Sequence, residues 1–249
     1  MKSLEDNHLR KKKILAVIPA RAGSKGLHRK NIQALNGEPL ITHIIRSANQ
    51  SKYIDKLIIS TEDKDIIRIG KREGVDIPFT RPSGLASDST PLIAVVLHAY
   101  RFFKERGALY DAVLSLQPTC PFLRPESMDK MVDLWLETGC ESVVTISEIT
   151  KGHPYIAKDL ISGNMIKNFG AIPEGAVLGP RQKRRKAYYL TGGAYLRDRG
   201  LLEMTEAKGH ALGSDARAVV VDEIEAVDIN SELDLKFAEF LLHSGYVIR

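Results

Sequence analysis

Short apolar runs alternate with amphipathic stretches along the first 150 residues of this chain, and that alternation limits the fold more than any other feature. The run KILAVIP (Lys13–Pro19) has the continuous apolar character of a strand buried on both faces. PLITHIIRSANQ (Pro39–Gln50) follows with helical spacing and a proline at its start. A strand is expected at Lys56–Thr61, and a helix over DKDIIRIGKREG ending at Gly74. Next come a short strand at DIPFT (Asp76–Thr80), a helix from about Pro91 to Arg106 and a strand at Asp111–Gln117. A helix over Pro125–Thr138 and a strand at ESVVTIS complete the series. Strands alternating with helices imply an α/β fold, with a mostly parallel central sheet and helices on both faces.

The alternation breaks near Thr150. Residues 152–188 are long and polar for a simple connection, so they read as an excursion from the domain. Within it, ISGNMI offers a Gly-Asn turn between apolar runs. Regularity returns with AYYLTGGAYL and ARAVVVD, and then a terminal helix over SELDLKFAEFLLHSG. Ser231 is the expected N-cap of that helix, with Asp234 three residues on. The organisation expected is a flexible tail over residues 1–12 and a single domain over 13–249.

Bulk properties exclude several classes. Hydrophobic residues make up 43% of the 249, enough for a sizeable core. No apolar run approaches a membrane span, and the polar N-terminus lacks the apolar core of a signal peptide. Cys120 and Cys140 cannot form a disulfide framework and match no zinc spacing, so a reducing cytoplasm is expected. The net charge of +5 comes from two clusters, Arg10–Lys13 and the stretch Arg181–Lys186. Without them the remainder is slightly acidic, and no nucleic-acid-binding motif accompanies either cluster.

The loop after the first strand carries the chemistry. IPARAGSKGLHRKN places Arg21, Lys25, Arg29 and Lys30 together, and such cations repel one another unless an anion sits among them. In parallel sheets, ligands bind beyond the carboxyl ends of the strands. Gly23 and Gly26 let the backbone turn several N–H groups toward one anion. Lys25 and Lys30 add point charges, and Arg21 a fork suited to phosphate oxygens. The stretch is neither a Walker A loop nor a dinucleotide G-x-G-x-x-G. A solvated basic loop would share this composition; its place directly after a buried strand favours a phosphate cradle.

The same residues carry a family resemblance. IPARAGSKGLHRKNI resembles the N-terminal signature of the CMP-sialic acid synthetases, the acylneuraminate cytidylyltransferases. In the same order follow IISTED, RPSGLASD (Arg81–Asp88), LQPTCPF (Leu116–Phe122), Arg181–Gln182, a GGAY segment ending at Tyr195, and VDINSELDL (Val227–Leu235). The likeness covers about residues 13–243. Kdo cytidylyltransferases are less similar, since their loop continues Ser-Thr-Arg-Leu-Pro rather than Ser-Lys-Gly.

The resemblance implies a nucleotide-diphospho-sugar transferase-like, Rossmann-like fold and a reaction. The anomeric hydroxyl of a 2-keto sugar acid attacks the α-phosphate of CTP, giving a CMP-sugar and pyrophosphate. By position, Lys30 matches the family's essential lysine, and Arg21, Ser24 and Lys25 line the phosphates. Asn31 meets the nucleotide sugar, and Arg81 the cytosine edge, helped by a hydroxyl of Ser87 or Ser89. Gln117, His153, Arg181 and Tyr195 match sugar-site positions, although His153 is equally suited to capping the turn before Pro154. Lys30 is expected to be exposed in the free protein.

Three further expectations come from the resemblance. Mg²⁺ is the expected cofactor, held where the family offers Asp-x-Asp and this chain has Asp228-Ile229-Asn230. The excursion implies a homodimer in which it docks on the partner. After the Arg-Gln pair, Arg185, Tyr189 and Thr191 replace the family's usual proline, arginine and asparagine, which points to a differently decorated relative of N-acetylneuraminic acid. The alternatives are an eight-carbon acid such as Kdo, a non-catalytic nucleotide-sugar-binding homologue, or an RNA-binding protein. Pyrophosphate release that depends on the sugar acid separates enzyme from binder, and salt-steep RNA binding marks the last.

Overall fold

The computed structural model describes residues 11–23, 26–206 and 209–247. The first strand, β1 (Ile14–Pro19), runs into the basic loop. A two-residue ladder, β2 (Ala34–Leu35) with β3 (Glu38–Pro39), then turns at Asn36 and Gly37, whose φ values of 51° and 79° suit a tight hairpin. Helix α1 (Leu40–Asn49), strand β4 (Ile54–Ser60), helix α2 (Lys64–Arg72) and helix α3 (Leu92–Lys104) follow. Next are β5 (Ala112–Leu116), α4 (Pro125–Thr138) and β6 (Ser142–Glu148). The excursion carries a hairpin of β7 (Lys158–Leu160) and β8 (Ile166–Asn168) around the Gly163-Asn164 turn. The chain returns through β9 (Tyr188–Asp198), α5 (Arg199–Met204), β10 (Ala216–Val220) and α6 (Glu232–His243).

The main sheet has the order β10-β6-β9-β5-β1-β4. The pairs β1–β4, β1–β5 and β10–β6 are parallel; β9 runs antiparallel between β5 and β6. Alternate residues of β1 feed opposite cores. Ile14, Ala16 and Ile18 pack under α1, α2 and α4, whereas Leu15 and Val17 meet α3 and Leu202 of α5. From β1 the chain steps to β4 on one side and later to β5 on the other. That reversal opens a crevice at the strand ends, where ligands bind in open α/β sheets.

One local expectation needed correction. The segment Asp76–Thr80 is no strand: it makes only isolated bridges, Ile58 with Asp76 and Thr61 with Thr80. Pro78 lies between them and has no N–H to give a ladder. The short helix α5 and the β2–β3 ladder were not foreseen, being too short to show a period. The Ser231 cap is as expected: its hydroxyl accepts from Asp234 N, and the Asp234 carboxylate accepts from Ser231 N at 2.8 Å. Among the described residues no helix is long and apolar enough to cross a membrane.

Candidate active site

The loop after β1 is tied down at several points. Ala20 N donates to Ser60 O at 3.0 Å, and Ala22 N to the Glu62 carboxylate at 2.7 Å. The Asn31 amide, 7% exposed, donates to Arg21 O at 3.0 Å and closes the loop from inside. Gly26 passes so close to another segment that a Cβ there would lie 2.4 Å from the carbonyl oxygen of Asn230. This glycine is therefore demanded by a backbone approach, and an alanine would push the loop away. Ser24 and Lys25 lie outside the described residues.

One of the four loop cations proves to be structural. Arg29, at φ 50°, pairs with Asp63 and Asp65 at the start of α2, and these carboxylates hold its pKa above the ordinary value. Asp63 also caps α2 through Asp65 N and Ile66 N. Arg29 thus finds its anions in its own chain and bolts the loop to that helix.

A cavity of about 770 Å³ opens beyond the strand ends. Its wall brings together Arg21, Lys30 and Asn31 from the loop, Arg81 and Ser87 from the segment after β4, and Gln117 after β5. Tyr195 on β9 and the pair Asp228 and Asn230 join them on the same wall. Strand order gives the cavity its polarity: Arg81 lies at the β4 side, the basic loop in the middle, and Gln117 and Tyr195 toward β9.

The centre is a chain of polar contacts. Lys30 Nζ donates to Asn230 Oδ1 at 2.8 Å, and Asn230 Nδ2 donates to Asp228 Oδ2 at 2.7 Å. Ile229 between them is fully buried and donates its N–H to Thr119 O, so Asp228 and Asn230 share the opposite side. Lys30 is half-buried rather than exposed as expected. Burial holds its pKa below the ordinary lysine value, against the opposing field of Asp228. Arg21 pairs with Asp88, which lines the same wall. Cys120 is 1% exposed, and burial pushes its thiol pKa up, so it behaves as a packed neutral group rather than a nucleophile.

Arg81 is 4% exposed. It donates from Nε to Ser60 Oγ at 3.2 Å and from Nη2 to Ser60 O, and its Nε lies 3.7 Å from Glu62 Oε2. Burial draws its pKa down to about 10, with Glu62 opposing. Ser87 bonds to Ser89 at 3.1 Å and to Thr90 at 2.8 Å, so Ser89 reaches the cavity only through Ser87.

His153 lies apart from this cavity. Its ring bonds to Arg185 O at 2.9 Å and accepts from Tyr155 N at 3.2 Å, which is the turn-capping arrangement. The backbone of Arg181 forms a 3₁₀ turn in the excursion, and its side chain lies outside the described residues. Sequence reasoning missed Glu62, Arg197 and His210. Glu62 carried a signal, a polar residue two past the end of β4, whereas Arg197 and His210 carried none that a strand end and a loop do not share.

Among the described residues no cluster of three or more His, Cys, Asp or Glu is placed to hold a metal ion. The pair at 228 and 230 nevertheless fits a hard cation that keeps water and phosphate ligands. Asp228 Oδ1 is buried with no hydrogen-bond partner, a lone pair set unspent at the cavity wall, and Asn230 adds an amide oxygen.

Residues 15–193 match the protein-family model described as Cytidylyltransferase, well over half of the chain. The chain belongs to the cytidylyltransferase family. It is 39% identical over 155 residues to the CMP-N,N'-diacetyllegionaminic acid synthase of Legionella pneumophila, covering 62% of this chain and 66% of that one. It is 32% identical to the pseudaminic acid cytidylyltransferase of Campylobacter jejuni, over 55% of this chain and 59% of that enzyme. Each match therefore spans less than two thirds of the relative's length. Among solved structures, a CMP:2-keto-3-deoxy-manno-octonic acid synthetase complexed with CTP superposes with a TM-score of 0.68, covering 94% of this chain and all of that one. At 16% identity, that likeness shows the cytidylyltransferase fold alone.

Proposed function

We propose that this protein joins CTP to a nine-carbon 2-keto sugar acid bearing two acylamino groups, such as N,N'-diacetyllegionaminic acid, with Mg²⁺ as cofactor. The observation that carries the reading is the convergence of Arg21, Lys30, Arg81 and the Asp228–Asn230 pair on one cavity, in a chain of the cytidylyltransferase family. The choice of sugar follows the 39% identity to the Legionella synthase and the replacement of the residues after Gln182.

The sugar's anomeric oxygen forms the bond to the α-phosphorus as the α–β phosphoanhydride bond breaks. The hydroxyl proton passes to solvent, and pyrophosphate leaves with the bonding pair. Such chemistry is mainly positioning and charge neutralisation. Arg81 offers donors to the O2 and N3 acceptors of cytosine. Arg21 exchanges its Asp88 partner for phosphate oxygens, and Lys30 faces the charge growing on the leaving group. Asp228 and Asn230 would hold Mg²⁺, which when bound neutralises phosphate charge.

The same reading includes a homodimer. Leu160, Met165, Ile166 and Phe169 of the excursion are 60–73% exposed, a cluster of apolar surface suited to a second copy. The free, buried Cys120 and Cys140 suit a reducing cytoplasm. The test is pyrophosphate release from CTP in a screen of diacetyllegionaminic, pseudaminic, N-acetylneuraminic and Kdo acids. Preferred turnover of the diacetyllegionaminic acid is expected. Release that needs no sugar acid, or a clear preference for N-acetylneuraminate or Kdo, would overturn the assignment. Light scattering at assay concentration should give a dimer.

A further inference from the structure

One polar strip interrupts the apolar sheet face that α3 covers. Ser115 on β5 lies opposite Tyr195 on β9, and Arg197 lies opposite Val113, so these side chains share that face. Arg197 is 1% exposed, the bulkiest of the fully buried side chains. Among the described residues no carboxylate pairs with it. Its donors go instead to His210 O at 2.7 Å, Ala211 O at 3.0 Å and Ser115 Oγ at 3.3 Å, and its guanidinium lies 4.9 Å from the centre of the Tyr195 ring. Burial draws its pKa down to about 10. Taking a guanidinium out of water without an anion is unfavourable, so its retention calls for a reason.

The reason lies in what Arg197 holds. Ala211 has φ 48°, a left-handed conformation that a residue with a Cβ keeps only when its surroundings impose it. Arg197 grips the carbonyl of Ala211 and that of the residue before it. The outcome is that the His210 ring stacks on Tyr195, with centroids 5.9 Å apart and planes at 15°, while remaining exposed at the cavity wall. This wall lies at the β9 end, away from Arg81.

We propose that His210 contacts the sugar acid, that Arg197 is its positioning residue, and that this pole of the cavity takes the substrate's carboxylate. The inference rests on the activity proposed above. The cation beneath Tyr195 has no anion of its own among the described residues, and the carboxylate is the anionic group of a sugar acid. Arg21 and Lys30, in the middle of the cavity, serve the triphosphate. Asp228, the carboxylate whose field reaches Tyr195, is the group assigned to the metal.

The test separates this inference from the activity it rests on. In His210→Ala the KM for diacetyllegionaminic acid should rise about tenfold or more, the scale of losing a hydrogen bond to a charged group, with the KM for CTP unchanged. Arg197→Gln should move the same KM, and the two substitutions together should fall well short of additive. Equal rises in both KM values, or no rise for the sugar acid, overturn the proposal. Should Arg197→Gln fail to fold, His210→Ala decides, since its ring is exposed. Should the wild type turn over no sugar acid, the activity itself fails. The subsite is then judged by titration calorimetry of the acid against its methyl ester. Acid that binds wild type no better than ester, or binds His210→Ala equally well, overturns it.

Discussion

Arg81 and Arg197 stand at opposite ends of one cavity, each nearly devoid of solvent contact and each with its pKa drawn down to about 10 by burial. Arg81 has an acid beside it, Glu62, whose other carboxylate oxygen holds the phosphate loop through Ala22 N. Arg197 has carbonyls, a hydroxyl and an aromatic face, and no acid among the described residues. The end proposed for the nucleotide is therefore neutralised within the chain and pre-formed before ligand arrives. The end proposed for the sugar acid keeps a positive charge that no acid among the described residues matches, which favours an anionic ligand. A binding site can thus be rigid at one pole by ion pairing and at the other by hydrogen bonding to strained backbone. The second kind leaves the charge available to the substrate.

The largest expected effect lies midway, where that contrast should vanish. Lys30→Ala should lower kcat by about two to three orders of magnitude, the scale of losing a major electrostatic contact in the transition state. Steady-state pyrophosphate release should show both KM values little changed. A loss confined to one substrate's KM would place Lys30 at an end rather than at the centre. Asp228→Asn should nearly abolish turnover and steeply raise the Mg²⁺ requirement, whereas Asn230→Asp should be tolerated. Unchanged Mg²⁺ dependence in Asp228→Asn would move the metal elsewhere, with Asp88 the next carboxylate to test.

The ends themselves should differ in stability. Arg81→Met strands Glu62 and should cost about 3 kcal/mol, the low end for breaking a buried ion pair, because Glu62 keeps 23% side-chain exposure. Adding Glu62→Gln should recover part of that loss. Arg197→Met leaves no acid behind and should cost less, since only carbonyl acceptors lose a partner. Urea unfolding of the three variants measures this, and equal costs for the two arginines would erase the distinction drawn from Glu62.

How far the sequence foretold the two ends follows from where their residues sit. The end proposed for the nucleotide and phosphates is written in consecutive stretches, IPARAGSKGLHRKN directly beyond β1 and RPSGLASD directly after the Thr61–Thr80 bridge, so reading along the chain finds it. Even there Arg29 was miscounted, because its partners Asp63 and Asp65 lie more than thirty residues away. The sugar end is assembled across the fold. Apolar alternation marks β9 as a strand but not its direction, so its antiparallel place between β5 and β6 was hidden. Arg197 near the end of such a strand looks like an exposed terminus, and His210 in a glycine-flanked loop looks solvated. Only the register of β9 against β5 brings Arg197 under Tyr195 and the loop over both.

The smallest expected effect tests what else holds that loop. Its far end is fixed by Glu141, whose Oε2 accepts from Ser214 N, from Ser214 Oγ at 2.9 Å and from Asp215 N at 2.9 Å. Gly213 at φ 76° lies so close that a Cβ there would sit 2.5 Å from the same oxygen. The Asp215 N–H, then the Ser214 hydroxyl and N–H, hold the Glu141 carboxyl below its ordinary value of 4.5. In the folded state this acid therefore binds fewer protons than in the unfolded chain. Its contribution is fully present above pH 4.5 and is lost as pH falls through the lower folded value. Thermal unfolding followed from neutral pH to below pH 4.5 should show a shallower acid limb in Glu141→Gln than in the wild type. The KM for CTP at neutral pH should be the same in both, because the nucleotide end shares no contact with this carboxylate. Identical acid limbs would mean that Glu141 adds nothing to the loop, leaving it to Arg197 and to the Ser142 hydroxyl, which donates to Leu212 O at 2.5 Å. Among charged groups, the end proposed for the sugar acid would then depend on one buried cation, whereas the end proposed for the nucleotide depends on the Arg81–Glu62 pair.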